Sequence, residues 1–310
     1  MGQGQPKTSS EGGGGKSRED IVSEKCSELL GSAPDNYVED FYMEQIAKMG
    51  GLGIPLNIFL MQEVQRFNNV LVKVKASMNG IIQAIRGEVV TTELILAGIN
   101  SIFDARVPQD WMFSAGGDEI SWISPTLGLW YAGLIGRDEQ FRTWVNNAKR
   151  PLSFWLTGFS NPQGFLTGVQ QEVTRNHKAD KWSLDSVDVH TEVTEYDRSE
   201  QVVRPPKEGC YMHGLFLEGA AWSKGDISLV ESTPKVLYVP LPVLFCTAVT
   251  KSQKRSMEGD YGPNGGFNCA VYKYPKRTDR FYIFTIVLAT REKAPRHWIL
   301  RGVALLCSTD

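Results

Sequence analysis

The sequence predicts an α+β fold, with an N-terminal helical lobe that contains one long helix and a C-terminal lobe that forms an antiparallel incomplete β-barrel. Two changes in pattern predict it. Apolar residues recur at helical spacings of three and four up to residue 183, and they alternate with polar residues from Leu184 onward. No stretch of helix length separates the later strands, which favours antiparallel pairing. With 42% hydrophobic residues in 310, the protein can bury a large core.

The first elements follow a polar segment. Residues 1–17, MGQGQPKTSSEGGGGKS, are rich in Gly, Ser and Gln, so we expect a flexible leader outside the fold. A short helix is predicted next, ended by Gly31 and Pro34, from the apolar positions Ile21, Val22, Cys26, Leu29 and Leu30. A second helix is predicted over residues 38–49.

The strongest periodic signal predicts one long helix over residues 55–86. Its apolar stripe alternates steps of four and three through Leu60, Val64, Phe67, Leu71, Val74, Met78, Ile81 and Ile85. At about 1.5 Å per residue this helix would be about 48 Å long. Phe59, Val70 and Ile82 widen the apolar face, which favours core packing over a coiled coil. Each of these three is either a docking anchor or a core residue.

The remaining pattern divides the sequence into lobes. Helices are predicted over 92–105, 126–135, 138–147 and 162–177, the last capped by Asn161. A half-exposed strand is predicted from Val187 to Val193, and further strands over 211–217, 235–239, 243–249, 269–274, 281–288 and 298–306. We therefore expect a helical lobe at 18–183 and a β lobe at 184–310.

Charge and composition exclude several functions. The formal net charge of -2 provides no global field for nucleic acid or an anionic membrane. No apolar segment approaches the roughly 18 residues that span a bilayer, so we expect no membrane partner. The 5 cysteines include no CxxC pair, which fits a reducing, cytoplasmic compartment. Residues 180–200 are acidic and residues 251–280 are basic, and both blocks could face partners or solvent.

The residues offer little catalytic chemistry. GGGGKS at 12–17 resembles a phosphate loop, but Ser10 replaces its first glycine and no strand precedes it. Cys210 and His213 would face opposite sides of a strand. No metal-binding pattern is formed by the other histidines, His177, His190 and His297. We therefore assign no catalytic, cofactor-binding or metal-binding residue, and expect no cofactor.

Glu218 is the one carboxylate in an apolar setting, within HGLFLEGAAW. A buried, paired structural glutamate is the favoured interpretation. The alternative is an enzyme with a site at Glu218 and His213.

Several segments together resemble the C-terminal domain of dynein heavy chains, of the axonemal type and particularly of the outer arm. They are PLNIFLMQEVQRFN (55–68), FDARVPQDW (103–111), SWISPTLGLW (121–130), FWLTGFSNPQGFLT (154–167), HGLFLEGAAW (213–222), VYKYPKRTD (271–279) and HWILRGVALLC (297–307). The sequence departs from the family pattern in SAGGDE at 114–119, at Ser160 and at Ala270. These departures affect the isoform assignment more than the family.

The resemblance implies helices followed by an incomplete barrel. It also implies a non-catalytic unit that packs on the AAA+ motor ring, through the long helix and the β lobe, and modulates microtubule-based motility. Its partners would be the AAA+ modules and, indirectly, other dynein subunits and microtubules of a ciliary or flagellar axoneme. The family places nucleotide hydrolysis elsewhere in the heavy chain. Because AAA+ modules, stalk and tail are absent from the sequence, we expect a fragment, a split gene product or an isolated domain.

Two further expectations concern partners. A free-standing interaction module that uses the same surfaces remains an alternative to the motor-associated domain. We also expect no measurable ATP binding, since the basic block offers only diffuse charge from Lys273, Lys276, Arg277 and Arg280.

Overall fold

The computed structural model describes residues 16–257, 261 and 265–309. Most of the expected leader and of GGGGKS therefore lies outside the described residues. The first half is helical, and its helices are α1 (Arg18–Ser32), α2 (Glu39–Lys48), α3 (Pro55–Ile85), α4 (Glu93–Phe103), α5 (Gln109–Met112), α6 (Leu127–Asn146) and α7 (Pro162–Asn176). The predicted helices at 55–86 and 162–177 are confirmed.

The ends of these helices follow from local chemistry. The Ser17 side chain accepts the backbone N–H of Asp20 at 3.1 Å, and the Asp20 carboxylate accepts the N–H of Ser17, which makes a capping box for α1. Ser17 therefore belongs to the fold and not to the expected leader. The Asn161 side chain accepts the N–H of Gly164 at 3.0 Å, which confirms its predicted role as the cap of α7.

The helix α6 corrects the prediction of separate helices over 126–135 and 138–147. It runs unbroken through Gly133 and Gly136, where the sequence indicated an end. A Cβ atom on Gly133 would lie 2.9 Å from the indole nitrogen of Trp122, so glycine here allows the close approach of a ring. Tertiary packing thus keeps helical a segment whose local propensity favours a break.

The second half contains most of the strands. The strands are β1 (Ser153–Trp155), β2 (Val187–Val193), β3 (Cys210–His213), β4 (Phe216–Glu218), β5 (Ala221–Ser223), β6 (Ser228–Val230), β7 (Tyr238–Pro240), β8 (Leu244–Thr250), β9 (Gly266–Tyr272), β10 (Tyr282–Ala289) and β11 (Ala304–Leu306). Two short helices, α8 (Lys251–Met257) and α9 (Pro295–Leu300), accompany them.

These strands form mixed sheets, and in the described part of the protein none closes into a barrel. One sheet has the order β1-β3-β8-β2, another β10-β9-β11-β4-β7, and β5 and β6 form a hairpin. The α+β class is confirmed. Pairing is antiparallel as predicted except in β1 with β3 and in β11 with β9, which are parallel. The strand β1 was not predicted because it lies in the helical half, and the short strands β5 and β6 were not predicted either.

Two predicted strands are wrong in detail. The segment 211–217 is divided into β3 and β4, which lie in different sheets, because Gly214 adopts φ +92° between them. The segment 298–306 begins as helix α9 and becomes strand only at β11. Pro295 in the first turn of α9 suits a helix start, since it lacks only a backbone N–H that would be unpaired there.

One hydrophobic core joins the two halves. It includes the fully buried rings Trp111, Trp130, Trp144 and Trp298 and a group of phenylalanines from α3, β1 and α7. Phe59 contacts Phe159 edge-on, with ring centroids 4.9 Å apart. No helix in the described ranges has the length and apolar character needed to cross a membrane.

Candidate interaction site

The structure separates the residues that were considered for metal binding or catalysis. On β3, Cys210 is buried and lies opposite Cys246, whereas the His213 ring shares a 2.7 Å hydrogen bond with the Ser153 hydroxyl. Burial lowers the pKa of His213, which favours a neutral ring at pH 7. Among the described residues no group of three or more His, Cys, Asp or Glu side chains could hold a metal ion.

Glu218 forms an ion pair with Arg277 and its side chain is 35% exposed. The prediction that it is paired is confirmed, but the prediction that it is buried is wrong, because β4 leaves its carboxylate at the surface of the sheet. His213 lines a cavity of about 720 Å³ to which Glu218 does not contribute. The two residues of the enzyme hypothesis are therefore not brought together.

The other histidines lie in separate places, each beside its own carboxylate. The pairs are His177 with Asp180 and Glu208, His190 with Glu192, and His297 with Glu231. The half-exposed strand predicted from Val187 to Val193 does not alternate strictly, because His190 and the next residue, Thr191, are both buried. Each of these histidines therefore contacts different carboxylates, and the pairs do not form one site.

The basic block is partly paired within the protein. Lys273 forms an ion pair with Glu119, and Arg277 forms one with Glu218. Lys276 and Arg280 are exposed, which leaves fewer free cations than the sequence indicated. The acidic block is likewise partly paired, with Asp188 on Lys254 and Asp197 on Lys224.

The most highly organised polar centre lies between α6 and the β half, and we call it the seam. Its residues are Glu119, Trp122, Arg137, Trp155, Lys273 and Tyr274. The Arg137 guanidinium carbon lies 3.8 Å from the ring centroid of Trp122 and 5.2 Å from that of Trp155. Trp122 in turn stacks on Trp130, with centroids 4.7 Å apart. The guanidinium is thus held between indoles that come from different segments.

Hydrogen bonds complete the seam. The Arg137 guanidinium donates to the carbonyl oxygens of Gly133 and Thr157, both at 3.0 Å. The Tyr274 hydroxyl donates to Glu119 at 3.1 Å and accepts the N–H of Ile123 at 3.0 Å. Burial, followed by the Glu119 charge, raises the pKa of Tyr274. Glu119 lies in the segment 114–119, and it ties that segment to the turn that follows β9.

A second kind of feature is a set of exposed apolar side chains on α4 and in the segment before it, which we call the α4 face. Val89 and Val90 precede the helix, and Leu94, Leu96 and Phe103 lie on it, on either side of its buried stripe. Val90 is 86% exposed, Leu94 61% and Leu96 51%. A separate groove of about 610 Å³ is lined mainly by α1 and α6, and Ile102 is its one residue from α4. Exposed apolar residues such as those of the α4 face are typical of interaction surfaces.

The residues predicted as possible docking anchors lie elsewhere. Phe59, Val70 and Ile82 are buried in the core, at 5%, 6% and 8% exposure, so the core interpretation is correct and the docking interpretation is wrong. The α4 face was missed, although the sequence ELILAGINSIF contains more large apolar residues than its buried stripe of Ile99 and Ile102 uses. That surplus was the available signal.

The protein is an α+β domain. The seam, a buried polar centre, fixes its two halves to each other, and the α4 face exposes apolar side chains. Sequence comparison identifies the family. The family model described as the C-terminal domain of the dynein heavy chain matches residues 1–307. The protein belongs to this family of dynein heavy chain domains, which confirms the resemblance seen in its motifs.

Individual relatives are axonemal. Mouse "Dynein axonemal heavy chain 8" is 42% identical over 303 residues, which covers 98% of this chain and 6% of the relative. Mouse "Dynein axonemal heavy chain 5" is 41% identical over 303 residues, with the same shares. The Chlamydomonas reinhardtii "Dynein gamma chain, flagellar outer arm" is 36% identical over 307 residues, covering 96% of this chain and 6% of the relative. The chain thus spans a small part of the length of these relatives.

Proposed function

We propose that this protein is the non-catalytic C-terminal domain of an axonemal dynein heavy chain, and that it docks on the AAA+ ring through the α4 face and modulates microtubule-based motility. The family assignment and the names of the relatives support the ciliary or flagellar axoneme as its location. Other dynein subunits and microtubules would be indirect partners. Within the domain we assign residues 18–183 to a helical lobe and residues 184–310 to a β lobe.

The observation that carries the docking proposal is the exposure of the α4 face. Leaving large apolar side chains in water costs about 25 cal/mol per Å² of surface relative to burying it. Ile99 and Ile102 already attach α4 to the core at 7% and 4% exposure. Leu94 and Leu96 keep more than half of their surface in water, and a partner surface would bury the remainder.

The test is binding of the purified protein to an AAA+ ring fragment of the matching heavy chain. The double variant Leu94→Glu, Leu96→Glu is expected to bind at least tenfold more weakly, because two charges would be placed in an apolar contact. Val203→Glu is the matched control, since Val203 is 75% exposed and lies outside the α4 face. If the double variant bound the ring fragment as tightly as Val203→Glu, the α4 face would not be the docking surface. If the wild-type protein did not bind the fragment, the proposal of ring docking would be wrong.

The proposed absence of catalysis has its own experiment. Calorimetric titration of the protein with Mg-ATP at physiological ionic strength should give no heat of binding that saturates as ATP is added. Lys273 and Arg277 are engaged by carboxylates, so the basic block offers a phosphate only the diffuse charge of exposed side chains such as Lys276 and Arg280, which salt screens. Saturable micromolar binding that survives deletion of residues 1–17 would contradict the proposal.

A further inference from the structure

Arg137 carries a buried charge without a carboxylate partner in the described part of the protein. The residue is 6% exposed, and no carboxylate oxygen described here lies within 4.0 Å of its nitrogens. Asp138, the next residue, pairs instead with Arg142 at 2.7 Å. A buried ion normally has a partner of opposite charge, because removing it from water costs several kcal/mol.

The contacts that Arg137 does make satisfy it only in part. A guanidinium has five N–H donors in one plane, and the carbonyls of Gly133 and Thr157 take one each. The indole of Trp122 covers one face of the group. The remaining N–H donors, at the edge of the plane, are available to a ligand or to water.

Two neighbouring cavities reach Arg137. One of about 320 Å³ is lined by Trp122, Trp155 and Tyr274, and another of about 340 Å³ by Glu119 and Arg280. Both cavities are also lined by Arg137 and Lys273, and Trp122 belongs to both. Space for a small group therefore exists beside the buried charge.

The charges around these cavities restrict the charge of a ligand. Three cations, Arg137, Lys273 and Arg280, line the cavities together with two carboxylates, Asp118 and Glu119, and the buried Glu63 carboxylate also acts on Arg137. Glu119 is already engaged by Lys273 and Tyr274, and Glu63 by Arg66 and two backbone N–H groups. A ligand with a single negative charge meets less repulsion from these carboxylates than a phosphate dianion does.

We propose that the Arg137 cavities form a carboxylate-binding site. A carboxylate presents two oxygens in a plane and matches the free edge of a guanidinium that is already fixed between indoles. The carboxylate comes either from a small free acid or from an acidic side chain of a peptide segment. The site does not depend on the α4 face or on ring docking.

The experiment follows the NMR signals of the Arg137 Nε–H and the Trp122 indole N–H in the full-length protein during titration with acetate, at constant ionic strength set by NaCl. Both signals are expected to shift saturably, with a dissociation constant in the millimolar range. A blocked glutamyl tripeptide provides the second titration. Tighter binding of the tripeptide assigns an acidic side chain as the source, and equal binding assigns a small free acid.

Three variants make the test specific. Arg137→Gln should abolish the shift of the Trp122 indole signal. Arg137→Lys keeps the charge and loses the planar fork, so it should weaken acetate binding at least tenfold, while the other NMR signals remain those of the folded protein. Arg175→Gln is the control, because Arg175 is an exposed arginine that bonds the carbonyl oxygen of Gly53 and lines neither cavity. Shifts that are linear in acetate, or that survive Arg137→Lys unchanged, would overturn the proposal.

Discussion

Replacement of Glu63 by alanine is expected to lower the free energy of unfolding by about 3–6 kcal/mol. The Glu63 side chain is 0% exposed and belongs to α3, yet its carboxylate accepts the backbone N–H groups of Ser160 at 2.6 Å and Asn161 at 3.2 Å. A hydrogen bond to a charged group contributes about 1.5–3 kcal/mol, and the alanine variant leaves both donors without this acceptor. The additional ion pair with Arg66 adds little, because the arginine is 46% exposed.

The conservative variant Glu63→Gln should cost about half as much, roughly 1.5–3 kcal/mol, because the amide keeps one carbonyl acceptor of the same size. Urea unfolding followed by circular dichroism measures both values, provided that the slope of the unfolding free energy against urea concentration is the same in the variants and the wild type. Glu44→Ala is the matched control. Glu44 lies on helix α2 in an exposed i,i+4 pair with Lys48, so its loss should change stability by no more than about 0.5 kcal/mol. A Glu63→Ala variant as stable as Glu44→Ala would refute the assignment of Glu63 as the link between α3 and the start of α7.

The native protein should react slowly with a thiol reagent at pH 8, because all five cysteines are buried, and all five thiols should react only on unfolding. A thiol of the native protein that reacts at the rate of free cysteine would contradict this prediction. His177 should titrate above 6.5 in NMR, because hydrogen bonds with Asp180 and then Glu208 raise its pKa. Its contribution to stability is then complete below pH 6.5 and lost as pH rises through the raised pKa, and a pKa at or below 6.5 would refute it. Gly214→Ala should lower the free energy of unfolding by about 2 kcal/mol or more, because alanine is strained at φ +92° and its Cβ would lie 2.5 Å from an indole carbon of Trp155. Gly225→Ala is the control and should be near neutral in thermal unfolding, because its Cβ would meet only the Ser223 hydroxyl, at 4.0 Å.

Sequence periodicity predicted the elements whose residues are governed by one local rule. The long stripe through Leu60 and Met78 predicted α3 because every turn of that helix contributes to the same core. The interior of α6 was not predictable in this way. Its glycines reduce helix propensity, and the indoles that compensate come from segments outside the helix. Likewise, Ile299 and Leu300 suggested a strand, although they are exposed residues at the end of α9.

The candidate sites were predictable only in part. The motifs were sufficient to identify the family, but no motif showed that Arg137 lacks a carboxylate partner, because that depends on distances between α6 and the β half. The same is true of Glu63, whose partners at Ser160 and Asn161 are remote in sequence. The exposure of Leu94 and Leu96 could have been suspected from the apolar composition of α4 alone.

The position of β11 has a consequence for the order of events during synthesis on the ribosome. Although it is the last of the described strands in sequence order, β11 lies at the centre of its sheet, between β9 and β4. Until residues 304–306 have been translated, β9 and β4 each present an unpaired edge, and such edges promote association with other polypeptides. Nascent polypeptides interrupted before Ala304 would therefore depend on chaperones that shield strand edges, whereas the helices α1 to α7 can form earlier from local contacts.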